Sequence, residues 1–176
     1  MPSDSRFEWI AELMRIRPDD RILEIGAGSS PSVAYLAAGL TSGWVLAIDR
    51  SATAITRSAK KHAALVDSGK VELRVAEVEE LLPEELPDDP FTKILAVNVN
   101  LFWTRRAATE LALIRNLLAP GGRLYLAYGY GAADGDPSES PKPAAAELDA
   151  NLAAAGFTTR VESSGDLLCV IATPDE

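Results

Sequence analysis

The sequence predicts a three-layer α/β/α domain on a doubly wound sheet of seven strands, five of them parallel and closed by a C-terminal antiparallel hairpin. Three observations carry this prediction. Apolar strand patterns alternate with helical patterns from Ile22 to Leu126, the order of successive β-α-β units. The first strand, Ile22-Leu23-Glu24-Ile25, runs straight into Gly26-Ala27-Gly28 and then a helix start. Near the C-terminus, Phe157–Ser163 and Leu167–Thr173 are joined only by Ser164-Gly165-Asp166, a link too short to cross over a sheet, so these two strands pair antiparallel.

Length and charge narrow the classes. A chain of 176 residues fits one domain, 1–176, with a full core, and 47% hydrophobic content reads as globular. No apolar run reaches the length of a membrane span, and Met-Pro-Ser-Asp-Ser lacks the basic and apolar regions of a secretory signal. The single cysteine, Cys169, excludes an internal disulfide and suits a reducing compartment, so a cytoplasmic location is expected. The net charge of −9, with 17 basic against 26 acidic residues, disfavours nucleic acid as a partner, because phosphate binding needs Lys and Arg. With one histidine, His62, and one cysteine there is no His/Cys zinc site, and no carboxylate cluster has metal spacing; no metal is expected.

Taken in order, residues 5–16 put Trp9, Ile10, Leu13, Met14 and Ile16 on one face of an N-terminal helix (within 1–17), which Pro18 ends. After strand one, Ser29-Ser30-Pro31 offers serine caps and a first-turn proline for a helix over 31–40. Strand two, Trp44–Ile48, ends in Asp49 and is followed by one long helix from Ala52 to about Val66, with His62 on its surface. Strand three, Val71–Ala76, alternates in polarity and belongs near a sheet edge. The acidic run over 77–89 reads as a solvated short helix and loop. Strand four, Lys93–Val97, is apolar on both faces. Thr104 is expected to cap a helix running to Leu118, and Pro120-Gly121-Gly122 to make a tight turn into strand five. Residues 129–143 form a breaker-rich loop, either a lid or disordered, before a helix over 144–155. Trp44 and Cys169 read as core packing.

The glycine turn and Asp49 carry the chemistry. Glycine lets backbone approach a ligand closely, and an acidic side chain about 20 residues on, at the end of the second strand, can hydrogen-bond both hydroxyls of a ribose. Glu24 decides between nucleosides. A carboxylate two residues before Gly26 would repel a pyrophosphate and attract an ammonium or sulfonium group. Pro31 also stands where G-x-G-x-x-G has its third glycine.

Glu24-x-Gly26-x-Gly28-x-Ser30 followed by Asp49 resembles the first two motifs of class I S-adenosylmethionine-dependent methyltransferases, with Ser30 in place of the family's third glycine. The Pro120-Gly121-Gly122 turn resembles another element of that family, and the likeness covers about residues 18 to 173. It implies a Rossmann-like fold and S-adenosyl-L-methionine as cofactor, with S-adenosyl-L-homocysteine as product. It also implies a cofactor site of Glu24, Gly26, Ala27, Gly28, Ser30, Asp49 and Arg50, together with Glu77 and Val78 at the adenine and Asn98 at the cleft. Glu77 reads alternatively as a helix-start glutamate, and the Asn98 and Asn100 amides as caps or turn formers.

Candidates for the acceptor side are Asn100, Trp103, Tyr128 and Tyr130, with packing the alternative for the tyrosines. No catalytic residue is identified, since methyl transfer from a sulfonium chiefly needs the reactants held in line. The run Asn98-Val99-Asn100-Leu101 lacks the prolines of nucleobase- and glutamine-modifying relatives, so the expected acceptor is a small molecule. Neither nucleic acid nor a membrane is expected as partner. With so small a cap, the acceptor pocket is either open or completed by a second copy in a homodimer. Two rivals remain: a cofactor-binding protein without catalysis, acting as sensor or partner subunit, and a nicotinamide-dependent oxidoreductase, which Glu24, Pro31 and the terminal hairpin disfavour.

Overall fold

The computed structural model describes residues 4–86, 88, 90–136 and 141–176. Residues 1–3, Pro87 and Asp89 of the 77–89 run and residues 137–140 of the 129–143 loop lie outside the described residues. Seven strands form one sheet in the order β3-β2-β1-β4-β5-β7-β6. They are β1 (Arg21–Ile25), β2 (Trp44–Asp49), β3 (Val71–Val75), β4 (Phe91–Val97), β5 (Leu118–Tyr128), β6 (Phe157–Ser164) and β7 (Leu167–Pro174). The pairs among β1 to β5 are parallel, and β7 pairs antiparallel with both β5 and β6. The chain moves outward from β1 to β3, then returns to place β4 on the other side of β1. That reversal leaves a crevice at the carboxyl ends of β1 and β4, where open α/β sheets take their ligands.

Helices cover both faces. On one side α1 (Ser5–Met14) and α2 (Ser32–Ala38) bring Phe7, Ile10, Met14, Val33 and Leu36 onto Ile22, Val45, Leu95, Tyr125 and Cys169. On the other, α6 (Ala108–Leu117) and α7 (Ala145–Ala154) bring Leu111, Ile114, Leu148 and Leu152 onto Leu23, Ile48, Ile94, Leu126 and Val170. Alternation along β1 sends Ile22 and Glu24 to the α1–α2 face and Leu23 and Ile25 to the other. Trp44 packs edge-on against Phe91, with ring centroids 5.6 Å apart.

Four local expectations are corrected. The helix after β2 is two pieces, α3 (Ala52–Lys61) and α4 (Ala63–Asp67), broken at His62 (φ −117°, ψ 28°), which is buried rather than on the surface. Thr104 caps nothing. It ends a short α5 (Leu101–Thr104) with its hydroxyl on the Asn100 carbonyl, and α6 starts three residues beyond Arg105, after Ala107 in the left-handed region. Pro31, not a serine, occupies the N-cap of α2. The Pro120-Gly121-Gly122 segment is a bulge inside β5 rather than a turn before it. Leu118 already pairs with Phe91, and the register resumes at Arg123 with Lys93. A side chain at position 122 would meet the Ala119, Phe91 and Thr92 carbonyls at 2.9 to 3.1 Å, so glycine is required there.

At the amino end of the sheet, away from the crevice, Lys93 is buried against Asp20 (2.5 Å), which also accepts from the Thr92 hydroxyl and the Arg17 amide. Burial alone would raise the Asp20 carboxyl, but these bonds together hold it below its ordinary value.

Candidate functional site

A cavity of about 490 Å³ opens at the carboxyl ends of β1 to β4. Its floor is Ile25, Gly26 and Ile48, its far walls Ala76 to Glu79 and Asn98 to Leu101, and its rim Asp49, Arg50, Thr104 and Arg105. Asp49 ends β2 with its carboxylate already oriented. One oxygen accepts from the Gly28 amide and the other from the Ser51 amide, both at 2.8 Å, and each keeps a lone pair for a hydroxyl. Ser51 in turn caps α3 by accepting from the Ala54 amide.

Across the cavity, Glu77 forms a reciprocal capping box with Glu80 over the single turn Val78–Glu80, so it is both a helix-start glutamate and a cavity residue. Arg105 binds Glu79 at 3.3 Å and also Glu110, and so closes the rim between the third and fourth strand ends. Gly26 has φ of +67°, and a Cβ there would stand 2.7 Å from Val99 Cγ2; two strand ends meet over this one bare backbone.

Asn98 holds the site rather than simply facing it. With φ of +54° it turns its carboxamide onto the backbone of Gly129, donating to the carbonyl and accepting from the amide, each at 2.9 Å. The Tyr128 hydroxyl likewise donates to the Val99 carbonyl at 3.0 Å.

Beneath the glycine turn lies a chain of buried polar groups. Glu24 is 1% exposed and its Oε2 has no partner. Burial pushes its carboxyl up to about 7, opposed by a hydrogen bond from Ser32 and aided by the nearby Asp49 charge. The Ser32 and Ser30 hydroxyls are 2.8 Å apart, and the Ser30 carbonyl lies 3.3 Å from His62 Nε2. Burial lowers the His62 pKa, which favours the neutral ring.

Of the residues predicted from sequence, Gly26, Asp49, Arg50, Glu77, Val78, Asn98 and Asn100 come together in this cavity. Glu24, Ala27, Gly28 and Ser30 stand outside its lining. Trp103 donates to the Asn100 side chain at 3.2 Å and packs on the core, Tyr128 is buried, and Tyr130 is 61% exposed; none of the three lines the cavity. Sequence reasoning missed Glu79, Val99, Thr104 and Arg105. The helix break that brings Arg105 to the rim depends on the left-handed backbone of Ala107, for which alanine gives no sign.

Comparison with known proteins is consistent in fold and family. A family model described as a methyltransferase domain matches residues 22–122, more than half of the chain. No curated protein sequence matches significantly. Among solved structures, a SAM-dependent methyltransferase from Aquifex aeolicus superposes with a TM-score of 0.72 at 18% identity, over 94% of this chain and 88% of that one. Magnesium protoporphyrin IX methyltransferase from Synechocystis, with bound SAM, gives 0.66 at 14% identity, over 95% and 78%. A Clostridium thermocellum protein put forward as an rRNA methylase gives 0.67 at 15% identity, over 100% and 99%.

Proposed function

The chain belongs to the methyltransferase-domain family, and from that premise we propose that it methylates a small-molecule acceptor by in-line displacement, releasing S-adenosyl-L-homocysteine. S-adenosyl-L-methionine is the cofactor, and when bound it supplies an electrophilic methyl group on a sulfonium.

The observation that carries the reading is the pairing of a pre-oriented Asp49 with a buried carboxyl, one oxygen of which has no partner, under the same glycine turn. Asp49 has free lone pairs for two vicinal hydroxyls, and Glu24, with one oxygen unpartnered, is a buried carboxyl that a nearby cation would hold in its charged form. A nucleoside carrying an ammonium and a sulfonium satisfies both; a pyrophosphate satisfies neither. Gly26, Ala27, Gly28 and Ser30 form the backbone cradle, with Arg50 at the rim, Glu77 and Val78 against the base, and Asn98 fixing the junction toward the acceptor. The chain's contribution to rate is placement, since holding the reacting atoms in line is worth up to several kcal/mol.

The chain carries a net charge of −9, which opposes a polyanionic substrate and supports a small acceptor. Asn100 lines the cavity, and we assign Trp103, Tyr128 and Tyr130, which lie outside that lining, to the acceptor's side as well, where a second copy of the chain can help to close the pocket. Among the described residues no helix is long and apolar enough to cross a membrane.

Calorimetric titration tests the reading. Wild type should bind S-adenosylhomocysteine and ignore NAD, and Asp49→Ala should weaken binding by at least tenfold, the worth of a charge-assisted hydrogen bond. Equal affinity in the variant would remove Asp49 from the site. Acceptor screening then follows on the wild type.

A further inference from the structure

Among the described residues, Arg6 is the other group that the fold buries incompletely satisfied. It stands in the first turn of α1 with its side chain 18% exposed, and its Nε is buried without a hydrogen-bond partner. Its guanidinium lies 4.4 Å over the Phe7 ring and reaches Asp4 Oδ2 only at 3.4 Å. Asp4 is a loose counter-ion. It is 36% exposed, and its other oxygen is already engaged in capping α1 through the Arg6 amide. A guanidinium is permanently charged and has only donors, so a buried unpaired N–H calls for an acceptor, best an anion.

The position of Arg6 says which anion. It lines a narrow crevice with Trp9, Val97, Tyr128, Gly129 and Leu167, at the carboxyl ends of β4 and β5. On its other flank α1 is tied to α2, the helix that leaves the glycine turn. The Asp4 amide donates to the Tyr35 hydroxyl at 2.7 Å, and Phe7 stacks on Tyr35. Asn98, in the wall of the cofactor cavity, is bonded to Gly129, in the wall of this crevice, so the two spaces share a partition.

We propose that Arg6 is a carboxylate-binding subsite of the methyl-transfer cleft, an inference that rests on the cofactor reading above. Its planar fork matches a carboxylate in two-point geometry. One carboxylate belongs to the cofactor's amino-acid tail, and an acceptor that is itself a carboxylic acid would bring another. The crevice is closed to a water-sized sphere, so the start of α1 must shift to admit either. Its ties are the Asp4–Tyr35 bond and a bond from the Ala133 amide to the Ser5 hydroxyl.

The test titrates S-adenosylhomocysteine and 5′-methylthioadenosine, which lacks the amino-acid tail, into wild type, Arg6→Gln and Arg6→Lys. Benzoate is then titrated into the S-adenosylhomocysteine complexes. If the cofactor's carboxylate is the ligand, Arg6→Gln weakens S-adenosylhomocysteine about ten- to a hundredfold, leaves methylthioadenosine unchanged, and Arg6→Lys lies between. If the acceptor's carboxylate is the ligand, both nucleosides bind unchanged and the benzoate binding seen in wild type is lost in Arg6→Gln. Equal weakening of both nucleosides, or no Arg6-dependent effect on any probe, overturns the proposal. A wild type that binds neither nucleoside overturns the cofactor reading, and the subsite with it. Should Arg6→Gln not fold, the same comparisons are made on Arg6→Lys.

Discussion

Burial raises the Glu24 carboxyl to about 7 against the Ser32 hydrogen bond, which favours the charged form. The folded chain therefore holds this proton more tightly than the unfolded one, whose glutamate titrates near 4.5. The sign follows: Glu24 leaves stability intact below pH 4.5, erodes it as the pH rises, and reaches its full cost above about 7. That cost is about 3 kcal/mol from the width of the window. Glu24→Gln should accordingly melt higher than wild type at pH 8 and level with it near pH 5, while binding S-adenosylmethionine more weakly. Thermal denaturation across pH without ligand checks the first part. A constant difference between the two proteins would mean that the carboxyl is not the titrating group.

Among the elements, the glycine turn is the most tightly specified. Gly26→Ala has two penalties, positive φ and the 2.7 Å approach to Val99. The first costs about 1 to 2 kcal/mol, and the second is relieved by Val99→Ala. The double variant should thus regain part, and only part, of the stability that Gly26→Ala loses, as urea denaturation of the four proteins would report. Full recovery would mean that the backbone is not held left-handed. This turn was legible in the sequence because each of its features is a residue type, glycine or a strand-ending aspartate, that few other roles require. The two helix breaks were not. At His62 the break falls in a helix-compatible run, and a histidine after two lysines reads as surface, although Ser30 on a distant segment gives its ring a buried partner. At Ala107 a residue that favours helices takes left-handed backbone, held by neighbours that sequence order does not bring together. All seven strands were foreseen, most from apolar runs bounded by breakers, β3 from its alternation and β6 from the short link to β7; the bulge in β5 was not, because it arises from the register with β4.

Across the whole molecule, the two ends of the sheet divide the work. The carboxyl ends hold the cavity and its unsatisfied groups, and the amino ends hold the satisfied cluster of Asp20, Thr92, Lys93 and the Arg17 amide. Lys93→Met should cost about 3 to 5 kcal/mol by stranding Asp20, with cofactor affinity unchanged. Adding Asp20→Asn should return most of that loss. Chemical denaturation beside calorimetry measures both, and a fall in affinity in the single variant would show that the two ends are coupled. At the carboxyl end, one residue past the last β4–β5 pair of Val97 with Ala127, the Asn98 carboxamide takes up both backbone groups of Gly129 much as another strand would. On the function proposed above, the aperture between donor and acceptor is then gauged by one side chain of fixed length, a spacer rather than a reagent. Any change in that length would retune which acceptors fit without touching an atom that reacts.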